Sequence, residues 1–101
     1  MVYKINEEIF DKLKILVADG DKEATNELYR LSYDILRSTI FEYITYDDYD
    51  DSLYYKDSLI GESFMTTIKD KEELRTMSIR LYVWRLKSDC EQRGKKHVRD
   101  Y

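Results

Sequence analysis

The chain contains no proline and only three glycines, Gly20, Gly61 and Gly94, in 101 residues. Proline and glycine are the residues that most often end helices and form the tight turns between strands. With so few of them, the sequence predicts long helices rather than a sheet. A chain of this length suits one domain, because two separate cores would each be close to the minimum size of a stable fold. We therefore expect residues 1–101 to form a single all-α domain, a small bundle of four main helices.

Capping residues and apolar spacing predict the first two helices. Asn6 stands before two glutamates and is a good N-cap for a short helix that ends near Gly20. Asp21 then caps a second helix, on which apolar residues repeat at intervals of three and four. These residues are Ala24, Leu28, Leu31 and Ile35.

The segment of residues 46–56 is rich in aspartate and tyrosine and has no regular apolar period. We interpret it as a loop, because an amphipathic helix or strand would show periodicity. A third helix should begin at Asp57 or Ser58 and end at Lys69, with a narrow apolar stripe along one side.

Asp70 caps the predicted fourth helix, which should run to residue 92 or 93 and end at Gly94, leaving 95–101 as a frayed basic tail. A projection at about 100° per residue places apolar residues on two opposite faces of this helix. One face carries Leu74, Met77, Leu81 and Trp84, and the other carries Ile79, Val83, Leu86 and Cys90. Such a helix either runs through the middle of the bundle or keeps one face for a partner. We expect a common core of Leu28, Leu31, Ile35, Phe64, Leu81 and Trp84.

Charge is distributed unevenly along the chain. Residues 1–70 hold 8 Lys and Arg against 16 Asp and Glu, whereas residues 71–101 hold 9 against 5. On the last helix, basic residues alternate with aromatic ones, as a single-stranded nucleic acid surface requires, since phosphates need cations and unstacked bases need aromatic planes. Because Trp84 shares a face with predicted core residues, Tyr82 is the expected stacking residue. The candidate nucleic-acid-binding residues are Arg80, Tyr82, Arg85, Lys87, Arg93, Lys95 and Lys96.

Residues that support catalysis or metal binding are scarce. The single histidine, His97, lies in the predicted tail, and Cys90 lies on an apolar helix face where we expect burial. A zinc site needs about four Cys or His ligands. We therefore expect no enzyme activity, no metal and no cofactor. A lone cysteine and the lack of an apolar run of about 18 residues favour a soluble cytoplasmic protein without membrane contact.

Two segments, followed by a basic helix, resemble a known family in their order and spacing. They are ADGDKEATNELYRLSYDIL at residues 18–36 and DSLIGESFMTTIK at residues 57–69. Over residues 9–96 the chain is similar to region two of bacterial sigma factors of the extracytoplasmic-function type.

The resemblance implies that helix 57–69 docks on a coiled coil of the RNA polymerase clamp, and that the basic helix helps to open and hold the promoter −10 element. Ser58 and Gly61 depart from the aspartate and glutamine that are usual in the family. The positions that match the polymerase-binding motif are Leu59, Ile60, Glu62 and Phe64.

A second interpretation stays open, in which the chain is a helical adaptor or inhibitor with no nucleic-acid role. Its partner-binding element would be the acidic segment around Tyr49, whose aspartates could imitate phosphate. Neutralising residues 47–51 should abolish binding in this case. If the chain is instead a sigma-like module, neutralising the basic residues of the last helix should abolish binding.

Overall fold

The computed structural model describes the backbone of residues 6–43 and 49–100, and the side chains of residues 6–37 and 57–94. The described part contains five helices and no strand, and four of the helices are long. This confirms the predicted all-α fold. The helices are α1 (Glu7–Ala18), α2 (Lys22–Tyr43), α3 (Tyr49–Thr67), α4 (Lys71–Thr76) and α5 (Ile79–Asp100).

Three of the helices begin at the predicted capping residues. In each case a side-chain oxygen of the cap accepts a hydrogen bond from the backbone N–H three residues further on, which satisfies one of the free donors of the first turn. The caps are Asn6, Asp21 and Asp70, with oxygen–nitrogen distances of 2.8, 2.9 and 3.1 Å. α1 ends as predicted, because Gly20 takes a left-handed conformation with φ of 92° that disfavours residues with a Cβ.

The predicted loop at residues 46–56 is wrong from Tyr49 onward, because α3 begins there and not at Asp57 or Ser58. No glycine or proline interrupts the chain between Gly20 and Gly61, so no helix-breaking residue separates this segment from α3. Residues 44–48, which include part of the proposed acidic partner-binding segment, lie outside the described residues.

The predicted continuous fourth helix is also wrong, because α4 and α5 are separate. Met77 has extended backbone angles, and the Ser78 hydroxyl oxygen accepts a hydrogen bond of 3.1 Å from the Leu81 N–H, which caps α5. α5 then passes through Gly94 and its backbone stays helical to Asp100. A glycine inside a helix costs only about 1 kcal/mol, so it need not end one.

α5 is central to the bundle and contacts α1, α2 and α3. Its buried face meets Phe10 of α1, whose ring lies 4.8 Å from that of Tyr82. The predicted core is confirmed for Leu28, Ile35 and Phe64, which are buried, and Leu31 packs against them while partly exposed.

Leu81 and Trp84 were wrongly assigned to the core, since they are 37% and 65% exposed. The break after Met77 explains the error. Leu74 and Met77 are buried, but the apolar face they form on α4 does not continue along α5, which starts afresh at Ile79. The opposite predicted face is confirmed, because Val83, Leu86 and Cys90 are buried.

Candidate functional site

The two aromatic residues of α5 have opposite environments. Tyr82 is fully buried, and its hydroxyl lies 2.7 Å from the hydroxyl oxygen of Ser32. Burial raises the pKa of Tyr82 far above its ordinary value, an effect that the Ser32 hydrogen bond only partly opposes. Tyr82 therefore cannot stack on a base, and that prediction was wrong. Trp84 presents its ring to solvent instead.

The predicted nucleic-acid-binding cations of α5 differ in exposure and in ion pairing. Arg80 is exposed and forms no ion pair within the described residues. The Arg85 guanidinium is paired with the carboxylate of Glu73 on α4. Lys87 is partly exposed. The side chains of Lys95 and Lys96 lie outside the described part.

Arg93 joins α5 to α3. Its Nε donates to Asp89 Oδ2 at 2.6 Å, its Nη1 to Glu62 Oε2 at 3.0 Å, and its Nη2 to Thr66 Oγ1 at 2.9 Å. The hydrogen bond to Asp89 is the main reason why the pKa of Arg93 is raised above its ordinary value. The structure thus brings together Glu62 and Arg93, which the sequence assigned to two different partners.

An open groove of about 640 Å³ lies where α3, α4 and α5 meet. Trp84 and Arg85 line it from α5, together with Thr66 of α3 and Glu73 of α4. The groove offers an aromatic plane and a guanidinium side by side. The ring can stack on a base, and the guanidinium can pair with a phosphate only in competition with Glu73.

The four predicted polymerase-binding residues do not lie on one surface. Leu59, Ile60 and Phe64 are buried in the core, because the apolar stripe of α3 packs against α2 and α5. Their side chains are therefore not available for direct contact with a partner in this conformation. Glu62 is exposed.

Met65 was not among the predicted site residues, although it is 60% exposed. It lines a second groove, of about 490 Å³, between α2 and α3, together with Tyr29, Arg30 and Gly61. The signal was present in the sequence, since Met65 lies three residues after Glu62 and therefore on the same side of the helix.

The described residues provide little for catalysis. No group of three or more His, Cys, Asp or Glu residues among them could hold a metal ion. Cys90 is buried as predicted, and burial raises its pKa to about 11. The thiol is thus protonated at neutral pH and is a poor nucleophile.

The described helices include none with the length and apolar character needed to span a bilayer. Together the described helices define a small all-α module with two open grooves. A family model described as ECF sigma factor matches residues 6–96. The chain therefore belongs to the ECF sigma factor family, a family of non-catalytic transcription factors that act in initiation with RNA polymerase. A search of curated proteins and a search of solved structures each gave no match.

Proposed function

We propose that this chain is a sigma-factor-like initiation module that binds the RNA polymerase clamp and single-stranded promoter DNA. The observation that carries the proposal is the exposed ring of Trp84, next to cationic residues on α5, in a chain that belongs to the ECF sigma factor family. We place this activity in the cytoplasm, where sigma factors normally act.

The proposed DNA-binding surface is the exposed side of α5. Arg80 and Trp84 are four residues apart, so they lie on the same side of the helix, and Arg85 follows directly. A base stacked on Trp84 would have its neighbouring phosphates within reach of these cations. One stacked base contributes about 1–3 kcal/mol to binding.

Net charge opposes this binding without preventing it. The whole chain carries a formal charge of −4. At physiological salt, however, the Debye length is only about 8 Å, so local charge governs contact while global charge weakens capture. We therefore expect the isolated protein to bind single strands weakly and with a strong dependence on salt.

The proposed polymerase-binding surface is the exposed side of α3 with Glu62 and Met65. The buried residues Leu59, Ile60 and Phe64 support this surface by fixing α3 to the core. Methionine is flexible and polarizable, which suits a contact with an apolar partner surface.

The DNA part is tested by fluorescence anisotropy with a short labelled single strand at about 50 mM and then about 200 mM salt. We expect binding at the lower concentration that is largely lost at the higher one. Absence of binding at both concentrations would contradict direct DNA contact by the isolated chain.

The polymerase part is tested by comparing Met65→Glu with Leu16→Glu in a binding assay with purified core polymerase. Leu16 is a matched control, because it is also a large exposed apolar residue but lies on α1. We expect Met65→Glu to weaken binding and Leu16→Glu to leave it unchanged, with folding checked by circular dichroism. Equal affinity of both variants and the wild type would contradict the proposed surface.

A further inference from the structure

Three nitrogen atoms of the Arg93 side chain are engaged within the protein. Nε, Nη1 and Nη2 donate to Asp89, Glu62 and Thr66 respectively. A guanidinium has five N–H donors in a fixed planar arrangement, and bidentate binding of a phosphate uses two of them. Three engaged donors leave two, one on each terminal nitrogen, so a phosphate that binds Arg93 must lie beside the carboxylates that already hold it.

The charges next to Arg93 also oppose the binding of a phosphate. Glu62 and Asp89 together bring two negative charges to the one positive charge of Arg93. The cluster carries a net negative charge, so an approaching phosphate is repelled where the sequence alone indicated an attractive site. Charge-assisted pairs with carboxylates have the same donor geometry as pairs with phosphates.

Of the two carboxylates that pair with Arg93, Glu62 is the more easily displaced. Asp89 is four residues before Arg93 on the same helix, and its side chain is 27% exposed. Glu62 comes from α3, on the other side of the junction, and its side chain is 57% exposed. Solvent competes more effectively for the more exposed carboxylate, so the Glu62 bond is the weaker one.

We propose that Glu62 is an intramolecular competitor of phosphate, which holds Arg93 away from nucleic acid in the isolated chain. This inference rests on the proposed DNA-binding function of α5. Binding free energies are reciprocal, so a partner group that pairs with Glu62 raises the affinity of Arg93 for phosphate. Glu62 lies on the surface that we propose for polymerase, and partner binding there therefore favours DNA binding at α5.

The test measures single-strand affinity of Glu62→Gln against Glu27→Gln at about 50 mM salt. Both variants change the net charge of the chain equally, and Glu27 is an exposed residue of α2 that forms no ion pair with Arg93. We expect Glu62→Gln to bind about fivefold more tightly than the wild type, the effect of removing one charge about 4 Å away in water. Arg93→Ala, made in the wild type and in Glu62→Gln, should abolish the difference between the two.

Thermal melting distinguishes this role from a purely structural one. If Glu62→Gln lowers the Tm and binds DNA no better than Glu27→Gln, the ion pair only joins two helices and the inference is overturned, while wild-type binding still supports the proposed function. If neither the wild type nor Glu62→Gln binds a single strand, both the inference and the proposed DNA contact are overturned.

Discussion

The two faces of α5 differ in burial, although their residues lie close together along the same helix. Tyr82 is buried against Phe10 and hydrogen-bonded to Ser32, whereas Trp84, two residues later, is mostly exposed. The larger and more apolar ring is thus the one that the fold leaves in solvent. Hydrophobicity alone does not decide which aromatic residue enters a core. The position of the neighbouring helices decides it, and a large exposed ring indicates a binding surface.

The two faces of α5 also have different roles, one in stability and the other in the proposed binding. The buried face of α5 holds the helix against α1, α2 and α3. The exposed face contributes little to folding and carries Arg80, Leu81 and Trp84. Substitutions on the first face should therefore lower the free energy of unfolding, and substitutions on the second should lower affinity.

The largest effect is expected for Tyr82→Ala. Loss of a buried aromatic side chain leaves a cavity and costs about 3–5 kcal/mol of unfolding free energy. Trp84→Ala is the matched control and should change stability by no more than about 0.5 kcal/mol, because its ring is mostly exposed. Urea denaturation measures both. Similar losses of unfolding free energy in the two variants would contradict the assignment of stability to the buried face alone.

The buried face should also make the protein sensitive to alkaline pH. The pKa of Cys90 is about 11 in the folded chain, against an ordinary value of 9.0. Between these values the unfolded chain loses a proton that the folded chain keeps, so stability falls as pH rises from 9 to 11. Two pKa units correspond to about 2–3 kcal/mol at most.

Urea denaturation at increasing pH checks this expectation, and Cys90→Ala supplies the control. The raised pKa of Tyr82 acts in the same direction, so the variant should keep part of the decline and lose the part due to the thiol. An identical decline in Cys90→Ala and the wild type would show that the thiol does not contribute.

On the exposed face, Trp84→Ala should reduce affinity for a short single strand by about 1–3 kcal/mol, the contribution of one stacked base. Leu81→Ala is the control, because Leu81 is an exposed apolar residue of the same helix without an aromatic plane. Anisotropy titrations of the two variants give the comparison. An equal loss in Leu81→Ala would indicate apolar contact rather than stacking.

The smallest effect is expected for Tyr82→Phe, which keeps the ring and removes the hydroxyl. Ser32 retains its other hydrogen bond, from Oγ to the carbonyl oxygen of Leu28 at 2.7 Å, so no buried donor is left without a partner. We expect a loss of about 1 kcal/mol and a small decrease in Tm. A loss as large as that of Tyr82→Ala would mean that the hydroxyl, and not the ring, holds this face.

The sequence by itself determined the features that depend on near neighbours. The absence of proline predicted an all-α fold, and Asn6, Asp21 and Asp70 were recognised as caps because each one acts on a backbone N–H only three residues away. The segments at residues 18–36 and 57–69 were sufficient to indicate the family that the match over residues 6–96 shows.

Only the tertiary structure decided which side chains meet. Glu62 and Arg93 are separated by 31 residues and come together because α3 and α5 pack side by side. The break at Met77 and Ser78 has no proline or glycine to mark it, and it separates the buried face of α4 from the exposed Leu81 and Trp84 of α5. Tyr82 and Trp84 could not be assigned from spacing, because helical periodicity defines faces but not the direction in which the core lies.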